Sequence, residues 1–252
     1  MTQYTHAIPI EFDFEPGPLW PFKHNEGEIE FLKTDPYVFS AQYMQEPAPK
    51  GGGIVKSSWW REYDVLPYLY TKIITADTAQ KTKEYNDFSV FQCWGLGDLG
   101  IYLIDQIRGK WEAPELLRQA KNFFNKHNIK GQPVSGFYVE DKSSGTGLIQ
   151  TLRNESTIPI IEVPRHKDKV TRMHGVVRYI ASGRVFLPVG VDWLSDYILE
   201  FSKFTALLNH KHDDQIDPTM DAIEILLIDG VTSSEDFASI YTTPSTTYEG
   251  DF

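Results

Sequence analysis

The sequence predicts an α/β fold, a mixed β-sheet with helices packed on its faces. Three observations carry this expectation. Three apolar, β-rich runs follow one another from residue 72, with turn residues between the last two. Beyond them, helical and extended periodicities alternate. Hydrophobic residues make up 41% of the 252 residues and aromatics 13%, enough to fill a core on both sides of a sheet.

Residues 1–67 read as irregular, because Pro9, Pro16, Pro18, Pro21, Pro36, Pro47, Pro49 and Pro67, with Gly51 to Gly53, interrupt any long element. One helix fits between Asn25 and Gln45, broken at Pro36. The runs Lys72–Ala79 (KIITADTA), Phe88–Trp94 (FSVFQCW) and Ile101–Arg108 (IYLIDQIR) are strands. Gly95, Gly97, Asp98 and Gly100 make the last two an antiparallel hairpin. Glu112–His127 spaces Leu116, Leu117, Ala120, Phe123 and Phe124 as one helical face, with Pro114 in its first turn. Val134–Glu140 is a strand, Gly145–Asn154 a short helix, and Ile158–Val163 a strand stopped by Pro164. Lys167–Ser182 is a helix closed by Gly183, followed by a strand at Arg184–Pro188. Helices at Asp192–Phe204 and Pro218–Ile228 complete the domain 68–228. The Ser-, Thr- and Asp-rich tail 229–252 reads as disordered.

Composition narrows the function classes. No apolar run approaches the ~18 to 20 residues of a membrane span, and residues 1–10 lack a secretory layout. A single cysteine, Cys93, excludes an internal disulfide and a cysteine-clustered zinc site, and it reads as a core residue. These features point to a soluble protein of a reducing compartment. Net charge is −11, which argues against a nucleic-acid partner until its distribution is read. Residues 229–252 hold five acids and no Lys or Arg, and residues 1–30 hold six acids against Lys23. Within 153–184, seven Arg and Lys face three acids.

Several carboxylates sit where elements end. Asp77 lies in the apolar run Ile73-Ile74-Thr75-Ala76, where a charge is costly to bury without a cation beside it. Its alternative is a strand-end residue bonded to nearby backbone. Glu140 and Asp141 close a strand before Lys142, and one of the two reads as a turn residue. Asp213 and Asp214 follow His212, and their alternative is a solvated loop. Carboxylates from separate elements are what a pair of Mg²⁺ or Mn²⁺ ions, roughly 3.5–4 Å apart, requires to hydrolyse a phosphodiester. Asp217, directly before Pro218, reads as a helix N-cap. Asp221 and Glu224 oppose the stripe Ile216, Met220, Ile223, Leu227 and read as a solvated face. His210 and His212 lack a third soft ligand and read as surface loop. Arg165, Lys167, Lys169 and Arg172 line the start of a helix and suit contacts to phosphates, as does Lys142 beside Glu140.

Six segments, in order, resemble the nuclease domain of phage large terminases: IITADTA, NDFSVFQCW, VEDKSSGTGLIQTL, PRHKDKVTRM, ASGRVFLP and HDDQIDPTMDA. The resemblance covers about residues 70–228. It implies a ribonuclease H-like fold and a two-metal endonuclease cutting double-stranded DNA, with little sequence preference, during genome packaging. Carried over, Asp77, Glu140, Asp213 and Asp214 are the metal and catalytic acids. Asp141 is the alternative to Glu140, and Asp87 matches a further position near the site. FSAQYMQEPAPKGGGIVKSSWW resembles the segment joining the packaging ATPase to the nuclease, yet the chain holds no GxxxxGK[ST] phosphate loop. The expectation is a fragment of a longer protein or a separately encoded nuclease, acting in the host cytoplasm. Its expected partners are DNA, portal, small terminase and the packaging ATPase. Pro218 departs from the family's helix-friendly residue and leaves open whether Asp213 and Asp214 are helical. A junction resolvase of the same fold, or a catalytically silent module docking packaging partners, are the rival readings.

Overall fold

The computed structural model describes residues 53–79, 88–140, 143–205 and 213–230. The helix expected within 25–45, Asp87, Asp141, Lys142, His210, His212 and most of the C-terminal tail lie outside the described residues.

A short 3₁₀ turn at Ser57–Trp59 precedes β1 (Arg61–Tyr63), β2 (Thr71–Asp77), β3 (Ser89–Gly97) and β4 (Gly100–Gly109). There follow α1 (Ala113–His127), β5 (Val134–Glu140), α2 (Ser143–Glu155), β6 (Ile160–Val163), α3 (Lys169–Ala181) and β7 (Val185–Pro188). The described chain finishes with α4 (Leu194–Lys203) and α5 (Ile216–Ile223), which runs on as a π-helical turn, Glu224–Ile228. The seven strands form one mixed sheet in the order β1-β7-β4-β3-β2-β5-β6. β2, β3 and β4 are antiparallel neighbours, while β5 joins β2 and β6 joins β5 in parallel. This is the expected mixed α/β sheet.

β2 is an interior strand covered on both faces, so six of its seven residues are buried. Alternate residues of β2 serve different layers: Ile73 packs under α3, α4 and α5, whereas Ile74 and Ala76 pack under α1 and α2. The first layer gathers Trp94, Met173, Ile180, Tyr197, Phe201 and Met220; the second gathers Phe91, Phe123, Phe137 and Ile149. Burying each such side chain contributes ~1.5–3 kcal/mol. Cys93 is buried in the second layer, as expected of a core residue.

Two glycines fix connections. At Gly100, which opens β4, a Cβ would sit 2.0 Å from the Arg184 carbonyl oxygen, the same oxygen that accepts from the Ile101 N–H at 2.9 Å. Gly183, at φ +71°, ends α3 as expected. The Gly183 N–H donates to Ile180 O at 2.9 Å and the Arg184 N–H to Tyr179 O at 3.0 Å, the paired bonds of a Schellman cap.

One part of the irregular-looking N-terminal stretch is ordered into the sheet. Arg61–Tyr63 pairs in parallel with Phe186–Pro188, and Val55 and Trp60 are buried in the first layer. Three residues are too few to display a period of two, so no alternation marks this strand.

Candidate metal centre

The parallel pairing of β2 with β5 builds the site. Ala76 stands opposite Val139, which brings the next residues, Asp77 and Glu140, side by side at the C-terminal edge of the sheet. This edge is where open α/β sheets characteristically bind ligands. α5 packs across the same edge and carries Asp217 and Asp221, four residues apart and therefore on one face. Glu224, one further turn along, continues that face.

Arg165, in the connection between β6 and α3, reaches into the middle of these acids. Its Nη1 lies 2.7 Å from Glu140 Oε2, 3.6 Å from Asp217 Oδ1 and 3.9 Å from Asp77 Oδ1. Its Nη2 donates to Asp221 Oδ2 at 2.6 Å. Arg172 of α3 donates to Asp217 Oδ1 at 2.7 Å, to Asp221 Oδ1, and to Glu224 Oε2 at 3.0 Å. Lys169 Nζ bridges Asp213 Oδ2 and Asp217 Oδ2 at 2.7 and 2.6 Å. The side chains of Arg165, Arg172 and Asp221 are only 6%, 4% and 0% exposed, so most of this ionic cluster is withdrawn from water.

Burial raises the Asp77 carboxyl to about 7, despite the opposing pull of Arg165. Burial would also raise Asp217, but Arg165, Lys169 and Arg172 outweigh it and hold that carboxyl below its ordinary value. Glu224 is raised by burial, with Arg172 opposing. For all three cations burial works toward the neutral form, and the surrounding carboxylates more than reverse it, raising each pKa.

The acidic pair before α5 divides. Asp213 turns to Lys169. Asp214 turns away to Arg108, whose Nη2 lies 2.9 Å from its Oδ2, while the Phe88 N–H donates to its Oδ1 at 3.4 Å. Arg108 also pairs with Glu200 at 3.3 Å. Behind it Glu200 accepts from the backbone and side-chain N–H groups of Gln215, which joins Gln92, Gln106 and Thr219 in a buried network. A cavity of about 470 Å³, lined by Gln106, Arg108, Trp111 and Trp193 among others, adjoins this second network and not the carboxylate cluster.

Of the acids expected to meet, Asp77 and Glu140 share Arg165, Asp213 joins them only at one remove through Lys169 and Asp217, and Asp214 is directed elsewhere. Asp213 and Asp214 lie in the turn before the helix. Three sequence expectations change. α5 begins at Ile216, with Gln215 at its N-cap position, so Asp217 is within the first turn and holds cations instead of capping. Asp221 and Glu224 face Arg165 and Arg172, not solvent. The basic stripe read as a DNA-facing surface is likewise turned inward at Arg165, Lys169 and Arg172, because the α5 acids sit opposite it; Lys167 is exposed. The signal in the sequence is the match between two i, i+4, i+7 spacings, Asp217, Asp221, Glu224 and Arg165, Lys169, Arg172, the first of these basic residues lying just ahead of its helix.

The donor set is all hard oxygen, suited to Mg²⁺ or Mn²⁺ and not to a thiophilic ion. Among the described residues, six carboxylates (Asp77, Glu140, Asp213, Asp217, Asp221, Glu224) meet three cations, an excess of three negative charges when all are ionised. Among those same residues, no group of three or more His, Cys, Asp or Glu is arranged to hold an ion as it stands. A guanidinium nitrogen lies between three of the oxygens. The residues fit a hard divalent cation in chemistry and charge, with the place of positive charge taken by Arg165.

The fold has counterparts among solved structures. The large terminase of a thermophilic bacteriophage superposes at a TM-score of 0.54 with 15% identity, over 81% of this chain and 54% of that one. The large terminase nuclease of the thermophilic phage G20c, solved with bound magnesium, gives a TM-score of 0.49 and 14% identity over 68% of this chain and 96% of that one. The chain spans about half the length of the first of these terminases. No curated protein matches it by sequence. The family comparison rests on sequence, and its span runs from β2 into the π-helical turn after α5, taking in Asp77, Glu140, Asp217 and Asp221. Residues 74–225, more than half of the chain, match the family of terminase RNase H-like domains, and the chain belongs to that family.

Proposed function

We propose that this domain is a metal-dependent endonuclease that cuts double-stranded DNA, with little sequence preference, during phage genome packaging. The observation that carries the reading is the convergence of Asp77, Glu140 and Asp217, from two strand ends and a helix, on the single Nη1 atom of Arg165. Asp77, Glu140 and Asp217 would hold the metal, with Asp213 beside them through Lys169. Bound Mg²⁺ or Mn²⁺ would supply the Lewis acidity that phosphodiester hydrolysis needs. Two such ions would offset the excess charge of the cluster together with that of one phosphodiester.

The chain's own groups do the positioning. Arg172 and Lys169 fix the Asp217 carboxylate from two sides, so its oxygens stay aimed at the sheet edge. β2 and β5 hold Asp77 and Glu140 on rigid backbone. Lys167, exposed before α3, is placed to meet a phosphate, a contact that orients DNA without reading its sequence. Portal, small terminase and packaging ATPase are the partners this role implies, and the host cytoplasm is its setting.

Nicking of supercoiled plasmid in Mg²⁺, in Mn²⁺ and in chelator tests the reading. Asp77→Asn should lower nicking by more than the roughly 100-fold typical of a lost residue behind a metal ligand, with the circular dichroism spectrum unchanged. Undiminished nicking by that variant would refute the assignment. A strong preference for a four-way junction over linear duplex would shift it to a resolvase.

A further inference from the structure

We propose that Arg165 is a positioning residue that stands in for the metal. It gathers Asp77, Glu140 and Asp217 while the centre holds no ion, and it gives up those contacts when a divalent ion binds. The inference rests on the metal-dependent reading above and adds an exchange step to it.

Three features carry it. First, Nη1 of one guanidinium lies within 3.9 Å of oxygens from all three carboxylates, so it sits where their shared counter-charge belongs. A dication drawn to the same oxygens and this fixed cation repel each other at close range and compete. Second, the guanidinium presents one edge to Asp221 and its Nη1 to the other three acids. Nε and Nη2 face Asp221 at 3.4 and 2.6 Å, so the whole planar group can shift toward Asp221 as Nη1 leaves, and the charge keeps a partner. Third, Arg165 belongs to the connection 164–168, outside helix and strand, whereas Arg172 lies within α3 and is held by Asp217, Asp221 and Glu224. The residue that would shift and the residue that would stay thus belong to different kinds of backbone.

The consequence is that Arg165 weakens metal affinity while keeping the ligands together. The alternative is a permanent cation that helps assemble the loaded site, and it predicts the opposite sign. Binding of Mn²⁺ alone to the full chain, followed by loss of the free-ion electron paramagnetic resonance signal, separates them. Arg165→Gln should bind Mn²⁺ at least tenfold tighter than wild type, with Arg165→Lys between, and Arg178→Gln at the exposed end of α3 should match wild type. Asp77→Asn should abolish the binding in wild type and in Arg165→Gln alike. Equal or weaker binding by a folded Arg165→Gln, with wild-type binding still dependent on Asp77, overturns the exchange and leaves the functional reading intact. Absence of Asp77-dependent Mn²⁺ binding in every protein overturns both. If Arg165→Gln fails to fold, the wild-type protein decides: the Arg165 Nε resonance should shift on titration with Mg²⁺, and an unmoved resonance overturns the exchange.

Discussion

Two polar clusters lie under the same helix, and they are built on different principles. At the edge of the sheet, six carboxylates and three cations contact one another almost without neutral groups between them. Behind it, around Arg108, Glu200 and Asp214, most of the partners are amides and hydroxyls. Asp213 and Asp214 separate them, one side chain turning each way. The first cluster carries excess negative charge and depends on counter-ions. The second meets its needs by hydrogen bonding, so it can hold α5 against β3 and β4 whatever occupies the first. The difference assigns exchange to one and support to the other.

The contrast can be broken or sharpened by substitution. The largest effect should come from Asp221→Ala, which leaves Arg165 and Arg172 without their most buried partner. Removing one side of a buried ion pair costs about 3–5 kcal/mol, and urea denaturation should register a loss of that size. A loss below ~1 kcal/mol would show that the cluster is far wetter than its burial implies.

Next is Glu200, which burial lifts to about 7 from an ordinary 4.5 against the pull of Arg108. Between those values the folded chain keeps a proton that the unfolded chain has released. Stability from this group therefore falls as pH rises through the window, by roughly 3 kcal/mol in all. Glu200→Gln should flatten that slope in melts from pH 4.5 to 7; an unchanged slope would mean that Glu200 does not hold the proton.

A smaller effect is expected of Thr219→Val, whose hydroxyl contacts Gln92, Gln215 and Tyr197 within 3.0 Å. Leaving buried partners unmet costs about 1–3 kcal/mol, and metal affinity should stay as it was. A change in Mn²⁺ binding would show that the second cluster does more than support. Smallest is Lys167→Ala: an exposed residue, it should alter stability by less than about 0.5 kcal/mol, while weakening DNA retention at low salt in gel shifts.

The fold was largely legible in the sequence because each major element carries its own periodicity. The β-rich β2, the glycine hairpin before β4 and the capped end of α3 all appear where the residues put them. Asp77 stood out because a carboxylate interrupts an apolar run. Asp217, Asp221 and Glu224 did not, because an acidic stripe opposite an apolar one has the same pattern whether it faces water or arginines from another helix. Only the pairing of that stripe with the basic residues on and just before α3 distinguishes the cases, and pairing is a tertiary fact. Asp213 and Asp214 show the same limit at closer range, since adjacent residues in a turn can serve opposite sides.

The three acids on Arg165 Nη1 come from β2, β5 and α5, with α1 and α3 among the elements between. A polypeptide emerging from the ribosome thus exposes Asp77 and Glu140 long before Asp217 exists to join them. An unfinished chain therefore lacks one wall of the carboxylate cluster, and the centre closes only after α5 has been made.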